Sequence, residues 1–453
     1  MFSVGKIVKA TGGILIQGDF RDKMSGISTD SRKLKPQEGF IALRGDHFDG
    51  HDFIKESLKS KISCVILEDT HENLIPKQVA VIKVKDTTLA LGDIARFHRQ
   101  EFNLPVIAVT GSNGKTTTKE MIAWVLSSGG QVLKNEGTKN NQIGLAQTLI
   151  QLTEKDNFAV VEIGTNHFGE VDYLAQIAKP NIGLITNVGL SHLEFLNSLR
   201  GVLKEKSSLL DNLASPGLAI LNADDKLLKG VITQNSKRRH VFSYGINEAS
   251  DFCASAIKLK NGRLEFKVNR KFGFALSTLG YYNTYNALAA ISVGRLLGLT
   301  YPEISARLCA FKFPKGRLNS VEFKGLKFID DTYNSNPVSL RAALSAMDAA
   351  ECKGKKIIIM GDMLELGKQK ELLHRQIARS ITNTCDLLVA VGRLARLTAQ
   401  AAERIGFKNK NIFCCDNSTQ ARDLLFTRIS PKANDLILVK GSRSMKMEEI
   451  FRI

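Results

Sequence analysis

A glycine-rich turn at residues 108–117, which read AVTGSNGKTT, lies between an apolar run and a segment of helical periodicity. Glycines at such a turn let backbone N–H groups converge on an anion, and the start of the following helix adds its dipole. A lysine supplies a point charge for the β- and γ-phosphates, and a threonine hydroxyl can ligate Mg²⁺. The sequence therefore predicts nucleotide contacts at Thr110, Gly111, Ser112, Asn113, Gly114, Lys115, Thr116 and Thr117.

The turn differs from the common phosphate-binding loop, because Val109 stands where that motif has its first glycine. A generic kinase or GTPase motif is therefore not satisfied. The strand before the turn and the helix after it still provide the context that a phosphate site requires.

Glu162 ends the apolar run AVVEIG, which is predicted to be a neighbouring strand. Because the carboxyl ends of parallel strands meet at one edge of a sheet, we expect its carboxylate to lie near the phosphate turn. Oxygen ligands suit Mg²⁺, so Thr116 and Glu162 are predicted to hold one ion.

The elements that must position these side chains form an α/β pattern of three predicted domains: 1–84, 85–314 and 315–453. The first is a small unit of short strands with one helix. In the second, strands alternate with helices, which predicts a largely parallel sheet with helices on both faces. After FPKGR the alternation resumes, and a second, Rossmann-type sheet is expected.

The composition limits the class of protein. The chain has 453 residues, a formal net charge of +18 and a sequence pI of about 9.5, so its surface should attract anions. Its seven cysteines show no CxxC or His-Cys metal spacing, and their odd number suits a reducing compartment better than a disulfide framework. With no signal-like segment and no run of eighteen apolar residues, we expect a cytoplasmic location without membrane insertion.

The turn TGSNGKTT resembles the phosphate loop of the Mur ligase family. Further segments resemble the family in order and spacing over nearly the whole chain. They are ISTDSRKLKPQEGFIALRGDHFDGHDFI, GTKNNQIGLAQTL, VVEIGTNHFGEV, LGYYNTYNALAA, DDTYNSNPVSL, GDMLELG and LVKGSRSMKMEE. The resemblance implies a small N-terminal α/β uridine-nucleotide domain, a central parallel-sheet P-loop ATPase-like domain and a C-terminal Rossmann-like domain that closes over ATP.

The resemblance also implies an activity, in which ATP converts a carboxylate into an acyl phosphate and an amine then attacks it. The Glu-Leu-Gly and Asn-Ser-Asn-Pro segments favour the family member that adds D-alanyl-D-alanine to UDP-N-acetylmuramoyl-tripeptide for peptidoglycan. Those two small molecules are the expected substrates, and a monomer without a nucleic-acid partner is expected.

Family positions for a second Mg²⁺ correspond to His192 and to Lys206, which the resemblance implies is carbamylated by CO₂. The family usually has a small residue two positions before this lysine and Glu two positions after it. Here Lys204 and Ser208 occupy those positions, and Lys204 is the alternative candidate. With Lys115 and Glu162, His192 and Lys206 complete the predicted catalytic set.

Further contacts follow from the same resemblance. Asn283 would bind adenine, with Tyr282 in place of the usual His, while Arg317 and Asp331 would reach ATP on domain closure. The residues expected to bind the uridine-linked substrate or the amine are Ser31, Arg32, Asn140, Asn141, His167, Asn334, Asn336, Lys440 and Arg443. Turn chemistry alone would also explain Asn336.

Three alternatives remain at this point. A sibling ligase would add a different amino acid or dipeptide. A P-loop kinase would stop at a phosphorylated product. A basic nucleic-acid-binding ATPase would agree with the charge, although the sequence contains neither a helix-turn-helix nor an RNA-binding aromatic motif.

Overall fold

A computed structural model describes residues 2–45, 48–68, 75–235, 240–260 and 262–452. Positions 46 and 47 of the segment expected to bind a uridine nucleotide lie outside the described residues. The strands form three large sheets that follow one another along the chain. This is the three-part α/β architecture that the sequence predicted.

The N-terminal unit is built on a five-stranded sheet of order β2-β7-β6-β5-β4, in which only β2 is antiparallel to its neighbour. Its described residues contain two α-helices rather than the one that was predicted, because Ile54 to Leu58 add a short helix after a 3-10 turn. Its elements are β1 (Phe2–Ser3), α1 (Val4–Thr11), β2 (Ile14–Gln17), β3 (Lys23–Met24), β4 (Ile27–Ser28), β5 (Gly39–Ile41), α2 (Ile54–Leu58), β6 (Cys64–Leu67) and β7 (Ala80–Lys83), with 3-10 turns at Ser31–Lys33 and Gly50–Phe53.

A connecting helix, α3 (Thr87–Gln100), leads into the central unit. The Asp86 side chain accepts a hydrogen bond from the backbone N–H of Leu89 at 2.8 Å, which satisfies one of the free donors of the first turn. This helix packs against α1 and against a helix of the central unit, and thereby joins the two cores.

The central sheet has nine strands in the order β16-β15-β14-β13-β12-β11-β8-β10-β9. Its parallel part, β8 to β14, confirms the expected alternation, whereas β14, β15 and β16 form an antiparallel extension that was not predicted. The elements are β8 (Val106–Thr110), α4 (Lys115–Leu126), β9 (Gln131–Lys134), α5 (Gln142–Leu149), β10 (Asp156–Glu162), α6 (Glu170–Ala178), β11 (Ile182–Ile185), α7 (Leu193–Leu196), α8 (Leu199–Asp211), β12 (Leu218–Asn222), α9 (Lys226–Asn235), β13 (His240–Gly245), β14 (Phe252–Lys260), β15 (Arg263–Val268), β16 (Phe272–Ser277), α10 (Asn283–Leu296) and α11 (Tyr301–Cys309).

The C-terminal sheet has six strands in the order β17-β18-β22-β19-β20-β21, and only the edge strand β17 is antiparallel. This confirms the Rossmann-type expectation. Its elements are β17 (Asn319–Phe323), β18 (Leu326–Asp331), α12 (Pro337–Ala349), β19 (Lys356–Gly361), α13 (Lys370–Thr384), β20 (Leu387–Val391), α14 (Ala395–Arg404), β21 (Ile412–Cys415), α15 (Ser418–Leu424) and β22 (Leu436–Lys440), with 3-10 turns at Gly367–Gln369, Asn409–Asn411, Arg443–Met445 and Met447–Phe451 and a π-helical turn at Leu425–Ile429.

Hydrophobic side chains fill both faces of the central and C-terminal sheets, so the polar side chains after the strands collect at the sheet edges. None of the helices in the described ranges has both the length and the apolar character needed to cross a bilayer.

Candidate active site

A cavity of about 720 Å³ lies where the carboxyl edge of the central sheet faces the C-terminal unit. Both units contribute polar side chains to its wall. The site residues predicted from the sequence that line this cavity are Ser112, Asn113, Gly114, Lys115, Thr116, Thr117, Asn140, Asn141, Glu162, His192, Asn283, Arg317, Asp331, Asn334, Asn336 and Lys440.

Two positions of the phosphate turn, Gly111 and Gly114, have positive φ angles that favour glycine. Gly111 has φ +145°, and a Cβ there would lie 1.9 Å from the Thr186 hydroxyl oxygen. Gly114 has φ +81° and precedes α4, where a Cβ would lie 2.5 Å from Asn286 Oδ1. Any larger residue would therefore displace the turn or its neighbours.

Residues after β11 hold this turn from outside. Asn187 Oδ1 accepts a hydrogen bond from the Asn113 backbone N–H at 2.9 Å, and its Nδ2 donates to the Asn113 carbonyl at 3.0 Å. The Thr186 hydroxyl donates to that carbonyl at 2.6 Å. The Ser112 hydroxyl donates to the Gly189 carbonyl at 3.1 Å. The turn is thus preorganised by a neighbouring loop.

Lys115 is folded back over the turn, with Nζ donating to the Gly111 carbonyl at 2.9 Å. Burial lowers the pKa of Lys115, the Glu162 carboxylate opposes that shift, and Arg317 adds to it. A bound anion would relieve the crowding of these two cations. The electrostatics therefore favour a polyanionic ligand at this turn.

Glu162 ends β10 beside β8, opposite Val109, and is only 1% exposed. Its Oε1 accepts a hydrogen bond from Asn140 Nδ2 at 2.7 Å, whereas its buried Oε2 has no hydrogen-bond partner among the described residues. A buried carboxylate oxygen without a donor is costly, and a hard cation would satisfy it.

This carboxylate does not belong to a complete metal cage. Across the described ranges, no group of three or more His, Cys, Asp or Glu side chains is arranged to hold a metal ion. Mg²⁺ usually keeps several water ligands and uses one or two carboxylates together with substrate phosphates. The donor set of Thr116 and Glu162 fits that mode, with phosphate oxygens and water completing the shell.

His192 has φ +51° at the start of α7 and faces the C-terminal unit. Its Nδ1 lies 2.8 Å from Oε2 of Glu365, an ion-pair distance between the two units. The neighbouring imidazole lowers the pKa of Glu365. Glu365 lines the cavity but was not predicted as a site residue, although it lies in the GDMLELG segment that carried the resemblance.

The two candidate lysines on α8 lie in different environments. Lys206 is 1% exposed, and burial, reinforced by Lys115, lowers its pKa to about 7. The Glu205 carboxylate opposes that shift. Lys204 is exposed. Lys206 is not among the residues that line the cavity.

Two residues of the C-terminal unit contact the phosphate turn directly. Arg317 Nη2 donates to the Thr116 hydroxyl at 3.1 Å, and its guanidinium lies 3.7 Å from the centroid of the Tyr333 ring. Asn336 Nδ2 donates to Asn113 Oδ1 at 2.8 Å, while its Oδ1 caps α12. Both the turn chemistry of Asn336 and an inter-unit contact are therefore present.

Asp331 and Lys440, both predicted to bind ligands, form a buried ion pair with each other at the ends of β18 and β22. Burial lowers the pKa of Lys440, and the Asp331 carboxylate opposes that shift. Lys440 Nζ also donates to the carbonyl of Asn334 at 2.8 Å. In this structure the lysine fixes the loop after β18.

The end of the cavity near α10 is aromatic and amide-rich. Asn283 is 6% exposed, donating to the Thr278 hydroxyl at 2.9 Å and accepting from Asn286 Nδ2 at 2.9 Å. Tyr282 is 47% exposed and lines the cavity. The Tyr285 hydroxyl donates to Asp224 at 2.8 Å. A flat heteroaromatic ring would find both a stacking face and amide groups here.

Two of the predicted cavity residues also have structural contacts: Asn140 Nδ2 donates to Glu162, and Asn141 caps α5 by accepting from Gly144 N–H at 2.9 Å. Seven predicted residues are not in the described cavity lining: Ser31, Arg32, Thr110, Gly111, His167, Lys206 and Arg443. Of these, Arg32 pairs with Asp30, and Arg443 pairs with Glu448. His167 packs on Phe195 and contacts Glu170.

Family profiles match three successive stretches of the chain. The profile described as "Mur ligase family, catalytic domain" matches residues 23–99. The Mur ligase middle domain matches residues 109–294, and the "Mur ligase, glutamate ligase domain" matches residues 316–443.

Individual proteins resemble the chain over nearly its whole length. UDP-N-acetylmuramoyl-tripeptide–D-alanyl-D-alanine ligase of Bacillus subtilis is 33% identical over 455 residues, covering 99% of this chain and 97% of the relative. A crystal structure of MurF from Acinetobacter baumannii has a TM-score of 0.90 and 30% identity, covering 99% and 97% of the two chains. MurF of Thermotoga maritima in complex with ADP has a TM-score of 0.82 and 27% identity, covering 94% and 96%.

Proposed function

Because this chain belongs to the Mur ligase family, we propose that it is the ATP-dependent ligase that adds D-alanyl-D-alanine to UDP-N-acetylmuramoyl-tripeptide in peptidoglycan synthesis. One observation carries the proposal: the phosphate turn, the free oxygen of Glu162 and the side chains Arg317 and Asn336 meet in one cavity. A nucleotide and two further small substrates need such a junction of units.

The side chains divide the chemistry of acyl-phosphate formation between them. The turn amides and Lys115 would hold the β- and γ-phosphates, while Arg317 would approach the γ-phosphoryl group from the C-terminal unit. The terminal carboxylate of the tripeptide attacks phosphorus and ADP leaves. The free amine of the dipeptide then attacks the acyl carbon, and phosphate leaves as the amide forms.

Closure of the C-terminal unit matters because water would hydrolyse an acyl phosphate. The Asn336–Asn113 hydrogen bond and the Arg317–Thr116 hydrogen bond already bring that unit against the phosphate turn. Substrate binding between the units would exclude water from the reacting carbon. No covalent protein nucleophile is needed.

Two Mg²⁺ ions belong to the proposal. Thr116 and Glu162 would hold one, and His192 with a carbamylated Lys206 would support the second. When bound, Mg²⁺ neutralises phosphate charge and polarises the γ-phosphoryl group. Carbamylation requires a neutral amine, and a buried lysine with a pKa of about 7 provides one near neutral pH. The exposed Lys204 lacks that environment, so we favour Lys206.

The remaining assignments are retained as parts of the proposal. Asn283 and Tyr282 would bind adenine. Ser31, Arg32 and His167 would contact the uridine-linked substrate, together with Asn140 and Asn141. Domains of 1–84, 85–314 and 315–453, a monomeric state and a cytoplasmic location are proposed with them. The residues proposed to bind D-alanyl-D-alanine or the anionic peptide end of the uridine-linked substrate are Asn334, Asn336, Lys440 and Arg443.

The test is mass spectrometry of the product formed from UDP-N-acetylmuramoyl-tripeptide, ATP, Mg²⁺ and D-alanyl-D-alanine. We expect the pentapeptide precursor with stoichiometric ADP and phosphate. Lys115→Ala should abolish it, whereas Lys155→Ala, at an exposed lysine, should not. A product containing another amine, when several are offered in competition, would replace this assignment with a sibling ligase.

A further inference from the structure

A buried amide holds the main chain of Glu162 on both sides. Asn135 is 0% exposed and follows β9. Its Oδ1 accepts from the Glu162 backbone N–H at 2.9 Å, and its Nδ2 donates to the Glu162 carbonyl at 3.0 Å. The same Nδ2 donates to the Lys139 carbonyl at 2.9 Å. The side chain thus continues the pairing of β9 with β10 after the strand itself has ended.

A buried lysine anchors this segment to the phosphate-loop helix. Lys119, in the second turn of α4, is 0% exposed. Its Nζ donates to the carbonyls of Asn135 at 2.5 Å and Gly137 at 3.3 Å, and pairs with Glu120 at 2.9 Å. The ammonium group therefore ties α4, whose first turn carries Lys115, to the segment that clamps Glu162.

The same segment also holds the side chain of Glu162. Asn140 Nδ2 donates to Oε1 at 2.7 Å, and the Asn140 carbonyl accepts from Gly164 N–H at 3.0 Å. Oε1 is thereby occupied, and Oε2 remains the buried oxygen without a donor. Both the main chain and the carboxylate of Glu162 are thus set by residues 135–140.

We propose that Asn135 and Lys119 are positioning residues, which fix the free oxygen of Glu162 relative to the phosphate turn and thereby set the affinity for the nucleotide-bound divalent cation. Neither side chain lines the described cavity, so each acts through Glu162. The inference rests on the proposed function. Residues that orient a metal ligand change metal affinity by about 10- to 100-fold when they are replaced.

The experiment measures Mn²⁺ binding to the full chain by electron paramagnetic resonance, with ADP present and absent. Asn135→Asp keeps the size and one acceptor but removes both Nδ2 donations. We expect the Mn²⁺–ADP complex to weaken at least about tenfold, while ADP affinity without metal stays unchanged. Lys119→Met should produce the same pattern, and it decides the matter should Asn135→Asp fail to fold.

Asn269→Asp is the matched control. Asn269 also bridges main chains, accepting from Cys253 N–H at 2.8 Å and donating to the Asp251 carbonyl at 3.0 Å, but it lies in the antiparallel extension. The Asn269→Asp variant should leave the affinity for Mn²⁺ unchanged. Equal Mn²⁺ affinity in wild type, Asn135→Asp and Lys119→Met would overturn the inference, even if both variants melted at lower temperature.

Failure of the premise gives a different result. If Glu162→Gln binds Mn²⁺–ADP as tightly as wild type, the proposed role of Glu162 is wrong. If wild type binds Mn²⁺–ADP, Glu162→Gln does not, and Asn135→Asp matches wild type, only the positioning inference is lost.

Discussion

Arg317 donates a hydrogen bond to the hydroxyl of Thr116 at 3.1 Å, so a cation of the C-terminal unit touches the first turn of the phosphate-loop helix. The two residues are separated by 201 positions in the chain. Their contact places a planar donor where negative charge on a transferred phosphoryl group would develop.

The first prediction concerns this arginine. Arg317→Lys keeps the charge but loses the planar fork and the contact with Tyr333. We expect kcat to fall on the order of 10²-fold, because the lost donor acts on developing charge. Steady-state kinetics against ATP check this. Arg452→Lys, at an exposed ion pair with Glu449, should behave as wild type, and an unchanged kcat for Arg317→Lys would refute the role.

The second prediction separates the two contacts of Asn336. Asn336→Ala removes a helix cap and the hydrogen bond to Asn113. Asn417→Ala removes only the cap of α15, where the side chain accepts from Gln420 N–H. Each should lower the free energy of unfolding by about 1 kcal/mol.

Only Asn336→Ala should also raise the KM for ATP, by roughly fivefold, as expected for one hydrogen bond between the units. Chemical unfolding and steady-state kinetics measure the two effects. Identical kinetics for the two variants would show that Asn336 serves its helix alone.

The third prediction concerns the pKa of Lys206, about 7 in the folded protein against 10.5 for an ordinary lysine. CO₂ reacts only with the neutral amine, so bicarbonate stimulation of ligation should grow as pH rises through about 7. Lys206→Met should abolish that stimulation, and a short-chain carboxylate should partly restore activity. Lys204→Met is the exposed control, and a bicarbonate effect that survives Lys206→Met would exclude Lys206.

The same depressed pKa has a consequence for stability. Between about pH 7 and 10.5 the Lys206 amine is protonated in the unfolded chain and neutral in the folded chain, so the free energy of unfolding rises with pH. Burial of Lys206 therefore lowers the free energy of unfolding fully below about pH 7 and no longer lowers it above pH 10.5. Lys206→Met should therefore be more stable than wild type at pH 6 by a larger margin than at pH 10. Denaturant unfolding at the two pH values measures the difference.

The fourth prediction concerns the backbone of the phosphate turn. Gly111→Ala would force a Cβ to within 1.9 Å of the Thr186 hydroxyl oxygen at a φ of +145°. We expect nucleotide binding to be lost, as judged by calorimetry with ADP. Gly230→Ala, in α9 with no atom within 4 Å of the added Cβ, should bind normally and gain up to about 1 kcal/mol. Tight ADP binding by Gly111→Ala would contradict the steric argument.

The part of the site carried by neighbouring strands of one sheet was predictable. A glycine turn before α4 and a glutamate ending β10 must meet, because parallel strands share a carboxyl edge. The antiparallel extension was not predicted, although β15 alternates buried and exposed residues as a half-buried strand does. The regular alternation of strands and helices before it predicted only parallel strands.

Contacts between side chains far apart in the chain could not be predicted from local sequence patterns. Glu365 pairs with His192 across the cavity, and no motif around either residue predicts that pair. Within the C-terminal unit, Lys440 stays a predicted ligand contact and lines the cavity, and its buried ion pair with Asp331 was not foreseen. Arg443, three residues further on, points to Glu448 outside the described lining.

Local sequence thus determined the phosphate turn, the strand–helix alternation of the parallel sheets and the family resemblance, because turn glycines, periodicity and short motifs act over a few residues. Only the tertiary structure decided which oxygen of Glu162 is free, which of the two α8 lysines is buried and which C-terminal side chains reach the turn. Those outcomes depend on desolvation and on distances between segments far apart in the chain, which no short motif encodes.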